Sequence, residues 1–278
     1  MPSYYSLPDA VKSLKPNEVP IFIPVFNLVS YTKFMVEQLV EKGIDNFIIC
    51  DNNSTYPPMV KYLERLSKNF KVLYLGFNFG PRMYSESVDI LSMMPEWFVV
   101  TDPDLIFNKN LPDTFITDLM SISDAYKFSK AGFAMEIYEP EAASKFFDIN
   151  KVHGWEGSYW TKQIGVTSTN DPIYFAPIDT TFAMHNRNIL IDELSGGMQT
   201  YTARSARVAG VYTCEHMGWW AEQPIEKDEY NFYRQTQIWG STENQKKWDN
   251  VISRHPHLSQ ADPINVSIDY INSLAGEQ

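Results

Sequence analysis

Four short apolar runs in the first hundred residues each end in a polar cluster, and segments of helical period separate them. The runs are 19–26, 46–50, 71–75 and 97–101, filled mainly by β-branched, aromatic and leucine side chains, as buried strands require. After the first, Ser30 reads as the cap of a helix in which Tyr31, Phe34, Met35 and Leu39 recur at helical spacing, and Gly43 closes it. Met59, Leu63 and Leu66 follow Pro57-Pro58 in the same way, and 83–92 reads as a third helix. Strands alternating with helices specify βαβ units and therefore an α/β fold on a central, mostly parallel sheet. In such a sheet, ligands bind in the crevice beyond the carboxyl ends of the strands. The side chains that leave the runs at that edge are Asn27, Asp51, Arg82, Asp102 and Asp104.

The fourth run carries the sharpest signal. Trp97-Phe98-Val99-Val100-Thr101 ends in Asp102-Pro103-Asp104, and Pro103 stops the ladder because it has no N–H to give. Two hard oxygen ligands one residue apart at a strand end suit Mg²⁺ or Mn²⁺ held together with a substrate diphosphate. Asp and Pro also make ordinary turns, so the pair gains its weight from the four strand ends that line up with it. The chain has neither G-x-G-x-x-G nor a Walker sequence, so the site is neither a standard dinucleotide fold nor a P-loop.

The second half is less regular. Strands are expected at 128–137, 173–176, 180–184 and 208–213, and short helices at 141–149 and 155–163. Residues 1–18 read as a polar arm, and 221–278 as a polar extension, mostly helical or irregular. A net charge of −11 argues against nucleic acid and against docking on anionic membranes. Cys50 and Cys214 lie in apolar runs and read as buried thiols, which fits a reducing cytoplasm. No apolar run has transmembrane length, and the N-terminus lacks a signal-peptide pattern, so a cytoplasmic protein with no transmembrane segment is expected.

Several stretches together resemble the GT-A fold glycosyltransferases, specifically the family-2-like enzymes. They are Ile23-Pro24-Val25-Phe26-Asn27, Asp51-Asn52-Asn53-Ser54-Thr55-Tyr56-Pro57, Asn78-Phe79-Gly80-Pro81 and Thr101-Asp102-Pro103-Asp104. Downstream, Ala131-Gly132-Phe133-Ala134, Ile178-Asp179-Thr180-Thr181-Phe182-Ala183 and Glu215-His216-Met217-Gly218-Trp219-Trp220 also match. The resemblance covers about 19–220 and implies a catalytic domain over 1–220, with a donor half at 19–127, an acceptor half at 128–220, and the C-terminal extension after it. It implies a nucleotide-sugar donor, UDP-linked in the first instance, a glycan or glycoconjugate acceptor, Mn²⁺ or Mg²⁺, and inversion at the anomeric carbon.

Carried onto this sequence, the resemblance makes Asp104 the direct metal ligand, with Asp102 on the donor ribose or reaching the metal through water. His216 becomes a third ligand, with His185 the runner-up. Asp51 would bond the uracil or ribose, Asn27 would border the same pocket, and Arg82 would pair with phosphate or donor sugar. An inverting enzyme also needs a general base on the acceptor hydroxyl. Asp179, between two apolar runs, is the first choice and Glu156 the second; the family's usual Glu-Asp base motif is absent. Trp155, Tyr159 and Trp160 form an aromatic cluster suited either to an acceptor sugar or to the core. Two other readings compete. A haloacid-dehalogenase-like phosphatase also uses Asp-x-Asp, though at its first strand and with a later Asp-Asp pair that this chain lacks. A non-catalytic nucleotide- or glycan-binding module would keep the site without turnover.

Overall fold

The computed structural model describes residues 16–76, 78–82, 91–92, 94–137, 149–198, 202–219 and 225–237. The first apolar run forms β1 (Ile21–Val25), followed by α1 (Val29–Glu41), β2 (Phe47–Asp51), α2 (Pro57–Leu66) and β3 (Lys71–Tyr74). The fourth run forms β4 (Trp97–Val100). These strands pair in parallel, in the order β3-β2-β1-β4, and the strands β1, β2 and β4 are almost wholly buried. This is the α/β architecture expected, a central sheet flanked by helices. The helix expected over 83–92 falls largely outside the described residues, which include only Leu91 and Ser92 of it.

Ser30 does not cap α1. The helix starts one residue before it, at Val29, with Leu28 in the cap position and no side-chain bond there. The N–H and hydroxyl of Ser30 instead donate to the Glu229 carboxylate, at 2.8 and 2.7 Å. The orphan donors of the helix start are thus satisfied from a distant part of the chain.

Beyond β4 the sheet is mixed. After Pro103 the chain forms β5 (Leu105–Ile106), then α3 (Phe115–Tyr126) and β6 (Lys130–Met135). α4 (Ile149–Glu156), β7 (Gln163–Val166), β8 (Pro172–Phe175), β9 (Ala183–Asn186), α5 (Arg187–Ser195), β10 (Ser205–His216) and α6 (Lys227–Thr236) follow. The order continues β4-β9-β6-β10-β8-β7, with β6 and β10 parallel and the other pairings antiparallel.

Three expectations change here. The helix at 155–163 ends at Glu156, because Gly157–Trp160 tightens to a 3₁₀ turn and β7 then pairs with β8. The 180–184 strand starts only at Ala183, because Thr180 is bonded to Asp102. The 208–213 strand runs longer, from Ser205 to His216. The helix at 141–149 lies outside the described residues apart from its last residue, which begins α4.

Two glycines make the second half possible. β10 bulges between Val208 and Thr213, where Gly210 adopts φ +64 and Asp171 accepts the Val211 N–H at 2.9 Å. On β6, a Cβ at Gly132 would lie 2.4 Å from the Phe182 carbonyl oxygen, so only glycine lets the 176–182 loop lie this close. Phe107, Phe115, Phe133 and Phe182 then pack as one aromatic cluster, with Phe133 and Phe182 stacked at 4.7 Å.

Candidate active site

The geometry of the site follows from what happens after β4. β4 pairs with β1 in parallel, but past Pro103 the chain leaves that ladder. β5 pairs antiparallel with the tail of β10, setting His216 opposite Leu105 and Glu215 opposite Ile106. The Met217 N–H donates to the Asp104 carbonyl at 2.8 Å. The Gln38 side chain of α1 locks β5 from the other side, donating to Leu105 O at 2.9 Å and accepting from Phe107 N at 2.7 Å. This register brings His216 Nε2 to 3.3 Å from Asp104 Oδ2. The other ring nitrogen, Nδ1, accepts from the Gly218 N–H at 3.1 Å, and Trp219 stacks on the imidazole at 4.7 Å. Asp104 Oδ1 is buried with no hydrogen-bond partner among the described residues.

Asp102 faces the other way, into the 176–182 loop. Its N–H donates to the Thr180 carbonyl at 2.9 Å, and the Thr180 hydroxyl donates to its carboxylate. Burial, with the neighbouring Asp104 and Asp179 carboxylates adding to it, pushes the Asp102 carboxyl well up; the Thr180 bond and Arg82 pull the other way. Next to Thr180, Asp179 takes Arg82 in a two-pronged ion pair, the Nε contact being 2.5 Å. Both partners are about half exposed, so this pair is reachable from solvent. Lys130 is fully buried and donates to the Ile178 carbonyl at 3.0 Å, pinning the same loop from inside the sheet.

At the first two strand ends the side chains are turned inward. Asn27 is fully buried at φ 55, a conformation Asn tolerates better than most residues. Its Oδ1 accepts from Thr55 N at 2.7 Å and Tyr56 N at 2.9 Å, and its Nδ2 donates to the Thr236 hydroxyl at 2.9 Å. Asp51 is buried and accepts from the Ser54 N–H at 3.1 Å, and burial pushes its carboxyl up. Asn52, beside it, accepts from Phe79 N at 3.0 Å and so holds the loop that leads to Arg82.

The remaining candidates lie apart from this group. Glu156 and Arg207 form a buried ion pair, and the guanidinium lies over the Tyr159 ring at 4.7 Å. Trp155 is exposed, and Trp160 packs on Tyr174 at 5.5 Å. His185 is buried in the core, stacked on Phe98 and bonded to the Ala183 carbonyl at 2.9 Å. Sequence reasoning missed Thr180 and Lys130, for which the only signals were their neighbours, and the part that α6, within the extension read as helical or irregular, plays at the first strand end.

A divalent cation fits the Asp104–His216 corner in one specific sense. Among the described residues no group of three or more His, Cys, Asp or Glu is placed to hold a metal by itself. The orphaned Asp104 Oδ1 offers one donor, and the facing imidazole a second once Nε2 releases the proton that it carries toward Asp104 while Nδ1 accepts from Gly218. Mg²⁺-type sites bound by one or two protein ligands are completed by substrate phosphates and water.

No family model matches the chain, and no curated protein matches it. Solved structures are similar at low sequence identity. The crystal structure of GalNAc-T7 with UDP, GalNAc and Mn²⁺ superposes with TM-score 0.44 at 11% identity, over 93% of this chain and 54% of that one. The crystal structure of HddC from Yersinia pseudotuberculosis does so with TM-score 0.40 at 9% identity, over 77% of this chain and 97% of that one. The chain thus spans about half the length of the GalNAc-T7 chain. No helix among the described residues is long and apolar enough to cross a membrane.

Proposed function

We propose that the chain is a metal-dependent glycosyltransferase that moves a sugar from a nucleotide-sugar donor, UDP-linked in the first instance, to a glycan hydroxyl with inversion. The observation that carries this reading is the meeting of Asp104 and His216 at a strand end, with Asp102, Thr180, Asp179 and Arg82 continuing from it. Asp104 and His216 would hold Mn²⁺ or Mg²⁺, which supplies positive charge to the leaving diphosphate. Arg82, held by Asp179 along its Nε–Nη2 edge, would bring a guanidinium charge beside the phosphate oxygens. Asp51 and the Asn27 loop form the nucleoside end, in the donor half at 19–127; the acceptor half is 128–220.

The chemical step is a single displacement. The acceptor oxygen bonds to the anomeric carbon as the bond from that carbon to the diphosphate oxygen breaks. The acceptor proton passes to Asp179, and the nucleoside diphosphate leaves. Asp179 is preferred over Glu156 because Glu156 is buried against Arg207, whereas Asp179 is half exposed beside the carboxylates of the site. Each Asp179 oxygen keeps a lone pair beyond the one facing Arg82.

The test is release of nucleoside diphosphate from UDP-, GDP-, CDP- and dTDP-sugars with Mn²⁺, in wild type and Asp179→Asn. Release from one donor class, metal-dependent and lost in the variant, supports the reading. Nucleotide binding without release, unchanged by Asp179→Asn, would replace it with a binding module. Hydrolysis of simple phosphate esters instead would replace it with a phosphatase.

A further inference from the structure

The stretch after 220 matches no motif, yet its one described helix is tied into the site. Glu229, Tyr233 and Thr236 sit at i, i+4 and i+7 on α6, which places them on one face. Two of the three are anchors. Glu229 is 2% exposed and accepts the Ser30 N–H and hydroxyl at the start of α1. Thr236 accepts from Asn27 at the end of β1. Fixed at both ends of the stripe, the helix cannot rotate, and the residue between the anchors faces the same way.

That residue is Tyr233. Its ring lies 6.5 Å from Phe26, at the exit of β1. It also packs on the small cluster of Leu28, Tyr31 and Met217, together with Ile106. Met217 follows His216, and Ile106 is two residues beyond Asp104. The ring therefore sits among the residues that flank the proposed metal ligands on both strands. Burial, then the Asp104 and Asp102 carboxylates, push its phenol up. A phenol O–H on this ring can donate to an anionic oxygen.

We propose that Tyr233 is a donor-contacting residue, its hydroxyl donating to the diphosphate of a nucleoside-diphosphate donor lodged at Asp104 and His216. This rests on the donor-site reading above. It also gives α6 a role: the helix is the wall that delivers Tyr233, and Glu229 and Thr236 are positioning residues that set it.

The experiment is calorimetric titration of the full chain with UDP and with GDP, each with Mn²⁺, on wild type, Tyr233→Phe and Asp104→Asn, with thermal melting alongside. Tyr233→Phe keeps the ring and its packing and removes only the hydroxyl. A hydrogen bond to a charged oxygen predicts a rise in Kd of about tenfold or more, with an unchanged melting temperature of the unliganded protein. Tyr233→Phe binding as tightly as wild type, while Asp104→Asn binds weakly, overturns the Tyr233 assignment and leaves the donor site standing. A wild type that binds neither nucleotide overturns both. A loss of affinity matched by an equal loss of melting temperature without ligand also overturns it, because the hydroxyl would then be structural.

Discussion

Asn27→Ala separates a positioning role from a ligand-contact role at the first strand end. The Asn27 carboxamide accepts the N–H groups of Thr55 and Tyr56 in the turn that starts α2, and that helix has no side-chain cap of its own. Removing it strands two donors at a helix start, costing about 1 kcal/mol each where water reaches them in part. Alanine at φ 55 adds about 1 kcal/mol of left-handed strain. The total is about 3 kcal/mol, or about 6–12 °C of melting temperature for a domain approaching this size. Asn27→Gly loses the same hydrogen bonds but not the strain, and should be the more stable of the two by about 1 kcal/mol. Urea denaturation of the three proteins measures this directly. Asn27→Ala within about 0.5 kcal/mol of wild type, or Asn27→Gly below Asn27→Ala, would refute the accounting.

Other perturbations test other parts of the structure. Burial raises the Asp51 carboxyl, so the folded chain holds a proton that the unfolded chain has shed. Its contribution to stability is full below the ordinary carboxylate range and is lost as pH rises through the folded value; Asp51→Asn should therefore gain melting temperature over wild type at pH 7 relative to pH 4. The same variant should weaken UDP binding by calorimetry if the carboxylate is kept for the donor. Glu156→Gln leaves the Arg207 guanidinium buried without its counter-charge and should cost about 3–5 kcal/mol by chemical denaturation, most of it recovered in Glu156→Leu/Arg207→Met. Gly132→Ala drives a Cβ into the Phe182 carbonyl and displaces the loop that carries Asp179, a cost of about 1–3 kcal/mol readable as a fall in melting temperature.

The first half of the chain was legible because its signals are local. A buried strand such as Ile21–Val25 announces itself in composition, and its helical neighbours in period. The second half was harder because its strands are placed by distant partners. β10 is broken by a bulge that depends on Gly210 and on the bond from Val211 N–H to Asp171, forty residues away, and no short window of sequence contains both. The candidate site divides the same way. Asp102 and Asp104 stand out at a strand end, but the facing of His216 and Asp104 depends on the β5–β10 register. Ser30 shows the limit of a local rule: it has the chemistry of a cap, yet its hydroxyl serves Glu229, about two hundred residues away. Lysine is a residue type mostly found exposed, and it is the loop folded over the sheet that brings Lys130 the Ile178 carbonyl.

The most direct test of the central claim is thermal melting with UDP, with and without Mn²⁺, on wild type and Asp104→Ala. At about a hundred times Kd a ligand stabilises by roughly 2.7 kcal/mol, which is about 5–10 °C for a chain of this size. The account predicts that shift for wild type only when both nucleotide and metal are present, and its loss in Asp104→Ala. An equal shift without metal, or one that survives Asp104→Ala, would contradict the assignment of Asp104 and His216 as the metal corner of a donor site.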